Sequence, residues 1–335
     1  MSTPTLLAPF TYFGGKRSVA SVVWDRLGEP SNYIEPFFGS GAVLLSRPNQ
    51  VDGTGRIETV NDLNGFIVNV WRAVRHDPEQ VASYADAPVF ETDLHARHAW
   101  LVAQTDELSE KLVASPDYYD PKIAGWWIWG ASCWIGSGWC DGSGGWQVVP
   151  TEDGPRMEKS DRPGISKQKP VLSGAGEGVH RLTARGNVRT WMENLSARLR
   201  YVRVCCGDWQ RVCTPSVIKH TGVTGIFFDP PYTAEAGRDN NLYAKESKTV
   251  GHDVAEWCIA NQDDLGLRIA LAGYEGEYSL PGWECFAWQT NGGLGNQKRG
   301  SSNTNAKRER IWFSPSCKSR QLTIFSSFGE ELYEN

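Results

Sequence analysis

The chain has 335 residues, 40% of them hydrophobic and 22% charged, which suits one large folded domain or two ordinary ones and excludes a disordered chain. The opening MSTPTLLAPF is followed at once by polar residues and glycines, so neither a signal peptide nor a membrane span is expected there, and eight scattered cysteines without a CxxC pair argue against a zinc site or a disulfide framework. The formal net charge of −5 opposes a uniformly basic, polyanion-binding surface but leaves room for a local basic face.

The first elements fall within residues 1 to about 80. TYFGGKRS places an aromatic residue, two glycines and Lys16 ahead of the first strand, a pattern that by itself reads as a turn with a surface lysine. NYIEPF then predicts a strand ending at Glu35, and Gly39, Ser40 and Gly41 make a turn tight enough for backbone to approach a ligand before the helix that GAVLLSR begins. RIETVND predicts a second strand with Asp62 at its end, suited either to accepting hydrogen bonds from ribose hydroxyls or to capping the next helix, GFIVNVWRAVR. Strand, glycine turn, helix and terminal acid together describe a nucleoside pocket. The dinucleotide pattern GxGxxG is absent, because Leu44 stands where its third glycine would be, so a nicotinamide dinucleotide is disfavoured.

Residues 81 to 199 have a different character. The run AGWWIWGASCWIGSGWCDGSGGWQVVP, from Ala124 to Pro150, is dense in Trp, Gly and Ser, and does not continue a βαβ rhythm. Such a stretch between two halves of a sheet reads as an inserted subdomain or functional loop, its tryptophans either filling a small core or stacking on bases. From Arg156 to Arg203 eleven Lys and Arg face four Asp and Glu, a local excess of seven positive charges, which suggests a nucleic-acid face on an otherwise anionic body.

From about residue 200 the βαβ rhythm resumes with YVRVCCGD, TGIFFDPPY, DVAEWCIAN, LRIALAGYEG and RERIWFSP. CCGDW sets Asp208 at one strand end. In GIFFDPPYTA an apolar, fully buried strand runs into Asp229 and is stopped by Pro230 and Pro231, which have no backbone donor to extend a ladder. The acid must therefore lie at the strand's carboxyl end, where open α/β sheets bind ligands. A second basic strip, Lys298 to Arg310, has five bases against one acid and includes Lys298, Arg299, Lys307 and Arg308.

The ordered set YFGGK (12–16), EPFFGSG (35–41), NDLN (61–64), CCGDW (205–209) and DPPY (229–232) resembles the Dam-like D12 class of DNA adenine N6-methyltransferases, which use S-adenosylmethionine. DPPY alone would arise by chance in a chain this long on the order of once in a thousand. The resemblance covers both flanking thirds and is poor in the middle, where the family's asparagines and arginine are missing and Trp146, Gln147 and Pro150 occupy the place. It implies an α/β, Rossmann-like methyltransferase with a mixed seven-stranded sheet, a discontinuous catalytic domain over 1–80 and 200–335, and a target-recognition subdomain over 81–199. Tyr12 and Lys16 would contact the methyl donor; Phe37, Gly39 and Gly41, with Glu35, Pro36 and Ser40 beside them, would line its amino-acid end. Asp62 would hold the ribose, Asp208 would reach the adenine ring, and Asp229 would border the cofactor. Asp229, Pro230 and Tyr232 would carry the chemistry, and Pro231, Tyr232 and Trp146 would meet the DNA substrate. Read from local charge alone, Arg181, Arg185 and Arg189 either touch phosphates or are solvated helix charges. The partner is then double-stranded DNA, no metal or membrane is involved, and the chain works as a cytoplasmic monomer in a bacterial or phage-infected cell.

The tetrapeptide suits that chemistry. The amine of adenine is a poor nucleophile because its lone pair is delocalised into the ring; a carboxylate and a proline carbonyl, each accepting one of its hydrogens, would aim the lone pair at a methyl donor. Two other readings remain open at this stage: transfer to cytosine N4, whose enzymes more often begin the tetrapeptide with serine, and a catalytically silent DNA-binding module.

Overall fold

The computed structural model describes residues 6–10, 15–48, 55–134, 139–140, 146–151, 154–159, 187–219, 222–231, 249–288 and 308–319. In chain order a 3-10 turn, Arg17–Val19, leads into α1 (Ala20–Leu27), β1 (Asn32–Glu35), α2 (Ala42–Leu45), β2 (Ile57–Asp62) and α3 (Gly65–His76). Then come α4 (Pro78–Ala85), α5 (Glu91–Ala103), α6 (Thr105–Ala114), α7 (Pro121–Cys133), the hairpin β3 (Trp146–Thr151) and β4 (Gly154–Lys159), and α8 (Val188–Leu199). β5 (Val202–Cys206), a 3-10 turn at Trp209–Val212, α9 (Pro215–Ile218), β6 (Thr224–Phe228), α10 (Val250–Asn261), β7 (Leu267–Tyr274), β8 (Glu284–Ala287) and β9 (Glu309–Phe313) complete the fold.

Seven strands form one mixed sheet in the order β5-β2-β1-β6-β7-β9-β8. The first five are parallel, and β9 runs antiparallel to both β7 and β8. β6 is buried along its whole length, as expected of a central parallel strand covered on both faces. Its last ladder partner is Phe228 against Leu271, so the ladder ends one residue before Asp229. From β1 the chain winds outward through β2 to β5, then returns to β6 and β7 on the other side. The strand order reverses between β1 and β6, and the carboxyl ends at such a switch point are where open α/β sheets form a ligand-binding crevice.

Each face of the sheet carries its own core. Tyr33, Val60, Phe227, Ala270, Ile311 and Phe313 pack with α1, α3, α7 and α8 through Val23, Trp71, Trp127, Met192 and Leu195. Ile34, Ile226, Phe228, Ile269 and Leu271 pack with Trp209, Val212, Ile218, Val254 and Cys258 on the other face. The middle helices extend the first of these layers: α7 packs on α3 and α4, and α8 on α3 and α4. Residue 80 lies inside α4. The β3–β4 hairpin forms a separate two-stranded sheet that touches α5. Trp127 and Trp129 are buried, so for these two the core-filling alternative holds. Five of the cysteines are buried thiols, while Cys285 is exposed on edge strand β8. No helix among the described residues is long and apolar enough to cross a membrane.

Candidate active site

β1 delivers Glu35 and Pro36 to the carboxyl edge, and the turn that follows is held from several sides. Gly39 and Gly41 both have left-handed φ, +47° and +62°, and a Cβ on Gly41 would come within 2.6 Å of the Phe38 ring, so glycine is required there on two grounds. The indole Nε1 of Trp71, fully buried in α3, donates to the Gly39 carbonyl at 2.9 Å. Glycine turn and helix are thus fastened together beneath the crevice.

Asp62, at the end of β2, accepts from the Gly39 amide at 2.8 Å and from the Asn64 amide at 2.9 Å. The helix cap is Asn64, whose side chain accepts from Phe66. Of the two roles left open for Asp62, capping therefore belongs to its neighbour. Burial pushes the Asp62 carboxyl up to about 6 against the lowering pull of the Asn64, Gly39 and Leu63 amides. Asn61 was not singled out from sequence, yet its Nδ2 donates to the carbonyls of Pro36 and Gly207, while its own carbonyl accepts from the Phe38 amide. One amide side chain thereby joins the loops after β1, β2 and β5. Its Oδ1 is buried with no hydrogen-bond partner. Asp208 is exposed and caps the following 3-10 turn by accepting from the Gln210 amide.

Lys16 departs from the surface lysine that its local sequence suggested. It is 3% exposed, and its Nζ lies 2.9 Å from Asp229 Oδ1 and 3.7 Å from Glu309 Oε2. Asp229 keeps 23% of its side chain accessible, so the acid is partnered by an ammonium while still facing outward. Glu35 is buried and accepts from the Tyr33 hydroxyl at 2.9 Å. Burial drives its carboxyl well above the usual carboxylate range, against the lowering effect of the Tyr33 bond, and the nearby Asp229 charge pushes it further up. Around the same corner Phe37 lies 6.4 Å from both Trp209 and Phe228, and Trp257 closes on Phe228 at 5.5 Å.

Lys16, Glu35, Pro36, Phe37, Gly39, Ser40, Gly41, Asp62, Asp208, Asp229, Pro230 and Pro231 therefore all lie at or beside this edge. Tyr12, Tyr232, Arg181 and Arg185 lie outside the described residues, as do Lys298, Arg299 and Lys307; Trp146 opens β3. Arg189 is exposed at the start of α8, paired with Glu79 at 2.9 Å. Arg198, which contributed to the basic excess of the middle segment, is buried against Glu58, so that part of the count is structural.

Residues 12–115 match the family model of the D12 class N6 adenine-specific DNA methyltransferases. That family consists of enzymes, and the match covers about a third of the chain. No curated protein matches the chain. The matched segment contains Lys16, the glycine turn and Asp62 but ends well before Asp208 and Asp229, so the 2.9 Å contact between Lys16 and Asp229 joins the matched part to a tetrapeptide outside it.

Proposed function

We propose that this chain transfers a methyl group from S-adenosylmethionine to N6 of an adenine turned out of double-stranded DNA, on a Rossmann-like sheet with target recognition carried by residues 81–199. The single observation that carries the reading is the position of Asp229, one residue past the ladder of the central strand, partly accessible, and at the same sheet edge as the glycine turn.

The residues at the edge fit that cofactor. A half-buried carboxylate at the end of β2 suits ribose hydroxyls, Asn61 Oδ1 is a buried acceptor still without a partner, and the Gly39–Gly41 turn lets backbone come close to a bound molecule. When bound, S-adenosylmethionine supplies an electrophilic methyl group on a positively charged sulfur. Glu35, Pro36, Phe37 and Ser40 would line its amino-acid end, Tyr12 and Lys16 would close it, Asp62 would hold the ribose and Asp208 would reach the adenine ring.

Asp229 accepts one hydrogen of the target amine and the Pro230 carbonyl accepts the other. The proline fixes φ near −65°, so both oxygens stay where positive charge develops on nitrogen. The proton that the nitrogen sheds passes to the Asp229 carboxylate, which is accessible enough to release it to solvent. Pro231 and Tyr232 pack on the base, whose unstacking costs a few kcal/mol. Trp146 meets the duplex on the hairpin, and Arg181, Arg185 and Arg189 neutralise phosphates, which makes binding fall steeply with salt.

The test is to incubate the chain with duplex DNA and labelled cofactor, digest to nucleosides and separate them. Label in N6-methyladenine is expected; label in N4-methylcytosine, or none anywhere, overturns the proposal. Long-read sequencing of DNA from expressing cells then gives the recognition site.

A further inference from the structure

The ammonium of Lys16 stands between two carboxylates that come from different parts of the sheet. Asp229 Oδ1 holds it at 2.9 Å, and Glu309 Oε2, from the first residue of β9, lies at 3.7 Å. The Glu309 side chain is 8% exposed and that of Lys16 3%, so the exchange of partners would take place out of bulk water. The Trp288 ring centroid lies 5.9 Å from the ammonium on a third side, and the Trp288 amide donates to the Glu309 backbone carbonyl at 3.4 Å. Trp288 and Glu309 thus form one unit on the antiparallel part of the sheet, away from the crevice strands.

The chemistry requires an Asp229 oxygen to accept a hydrogen from a neutral amine. In the resting arrangement Oδ1 already accepts from an ammonium, a stronger donor than any neutral amine. A neutral group displaces it only if the ammonium has another carboxylate to go to, since an unpaired buried charge is costly. Glu309 supplies one within about an ångström of hydrogen-bond distance, a movement that rotation of a lysine side chain covers.

We propose that Glu309 is a positioning residue that receives the Lys16 ammonium when the target amine reaches Asp229, so that the Lys16–Asp229 pair is a resting contact and the Lys16–Glu309 pair the working one. No proton moves in the exchange; one ion pair replaces another. The proposal rests on the methyl-transfer reading for its purpose, though not for its geometry.

Two experiments test it. In the first, Glu309→Gln keeps the size of the side chain but removes the receiving charge. Its kcat for adenine methylation should fall about tenfold or more, the equivalent of one charge-assisted hydrogen bond, while the cofactor Kd stays within about twofold. Glu309→Asp should recover most of that loss. A Glu309→Gln enzyme with kcat within about twofold of wild type overturns the proposal, as does a loss of kcat that Glu309→Asp does not recover. The second experiment needs no activity: in a crystal structure of Asp229→Asn, Lys16 Nζ should move to hydrogen-bond distance from Glu309. An ammonium that stays as far from Glu309 as it is now overturns the exchange. If the wild-type chain methylates no adenine, the reading of the reaction fails, and the Asp229→Asn structure still decides the exchange.

Discussion

Asp229→Asn is the perturbation that separates chemistry from folding most cleanly. The amide is nearly isosteric, so the end of β6 and the two prolines stay in place, but the charge facing both the target amine and Lys16 is gone. On the chemical side the loss is one charge-assisted hydrogen bond, about 1.5–3 kcal/mol, together with its stabilisation of developing charge; removing one such electrostatic contact typically lowers kcat by about a hundredfold to a thousandfold. On the folding side, a buried ion pair stripped of one partner typically costs about 3–5 kcal/mol. Here Asp229 is partly solvated and Lys16 keeps Glu309 at 3.7 Å, so the cost should be about 1–2 kcal/mol, a Tm lower by roughly 1–3 °C for a chain of this length. The assay is transfer of labelled methyl to duplex DNA, alongside thermal melts with and without S-adenosylmethionine. The cofactor should raise Tm in the variant as much as in wild type, because its affinity is unchanged. The reasoning is refuted if the variant keeps more than a tenth of the wild-type rate, or if the cofactor-induced rise in Tm disappears with the activity.

Three further outcomes follow from the same geometry. Asp62 has a native carboxyl value of about 6 against about 3.9 in an unfolded chain, so the folded form holds more protons between those values and stability should fall as pH rises from about 4 to 6; Asp62→Asn should flatten that slope in denaturant midpoints taken across the window, and weaken cofactor binding. Gly41→Ala places a Cβ against the Phe38 ring at a left-handed φ, which should cost about 1–3 kcal/mol and show in calorimetry as weaker cofactor binding, whereas Gly55→Ala, also at positive φ but with open space around it, should leave cofactor binding unchanged. Arg198→Met removes one of two guanidiniums bonded to the fully buried Glu58, and since Arg47 remains at 2.9 Å the loss in urea denaturation should be about 3 kcal/mol rather than complete unfolding.

Much of the crevice was legible because its residues obey local rules. The run Gly225–Phe228, with two prolines just beyond Asp229, could only be a buried strand that stops, and that alone put Asp229 at a carboxyl end. The glycine turn and Asp62 were visible for the same reason, since left-handed φ and strand termination leave a mark on neighbouring residues. Asn61 and Glu309 left none. Asn61 matters through carbonyls contributed by Pro36 and Gly207, far apart in the chain, and Glu309 stood in a basic strip where it counted only as the one acid.

By itself, then, the sequence determined which strands end in which side chains, because backbone donors, glycine conformations and apolar runs act over a few residues. Only the tertiary structure decided which of those ends meet. It brought Lys16 from the surface to a buried contact with Asp229, took Arg198 out of the middle segment's basic excess as the partner of Glu58, and laid the helices of the middle stretch on the sheet's own hydrophobic layer. The physical reason is the same in each case: a buried charge must find its opposite wherever packing allows, and an apolar helix face must find a surface to cover, and neither partner need be near in the chain.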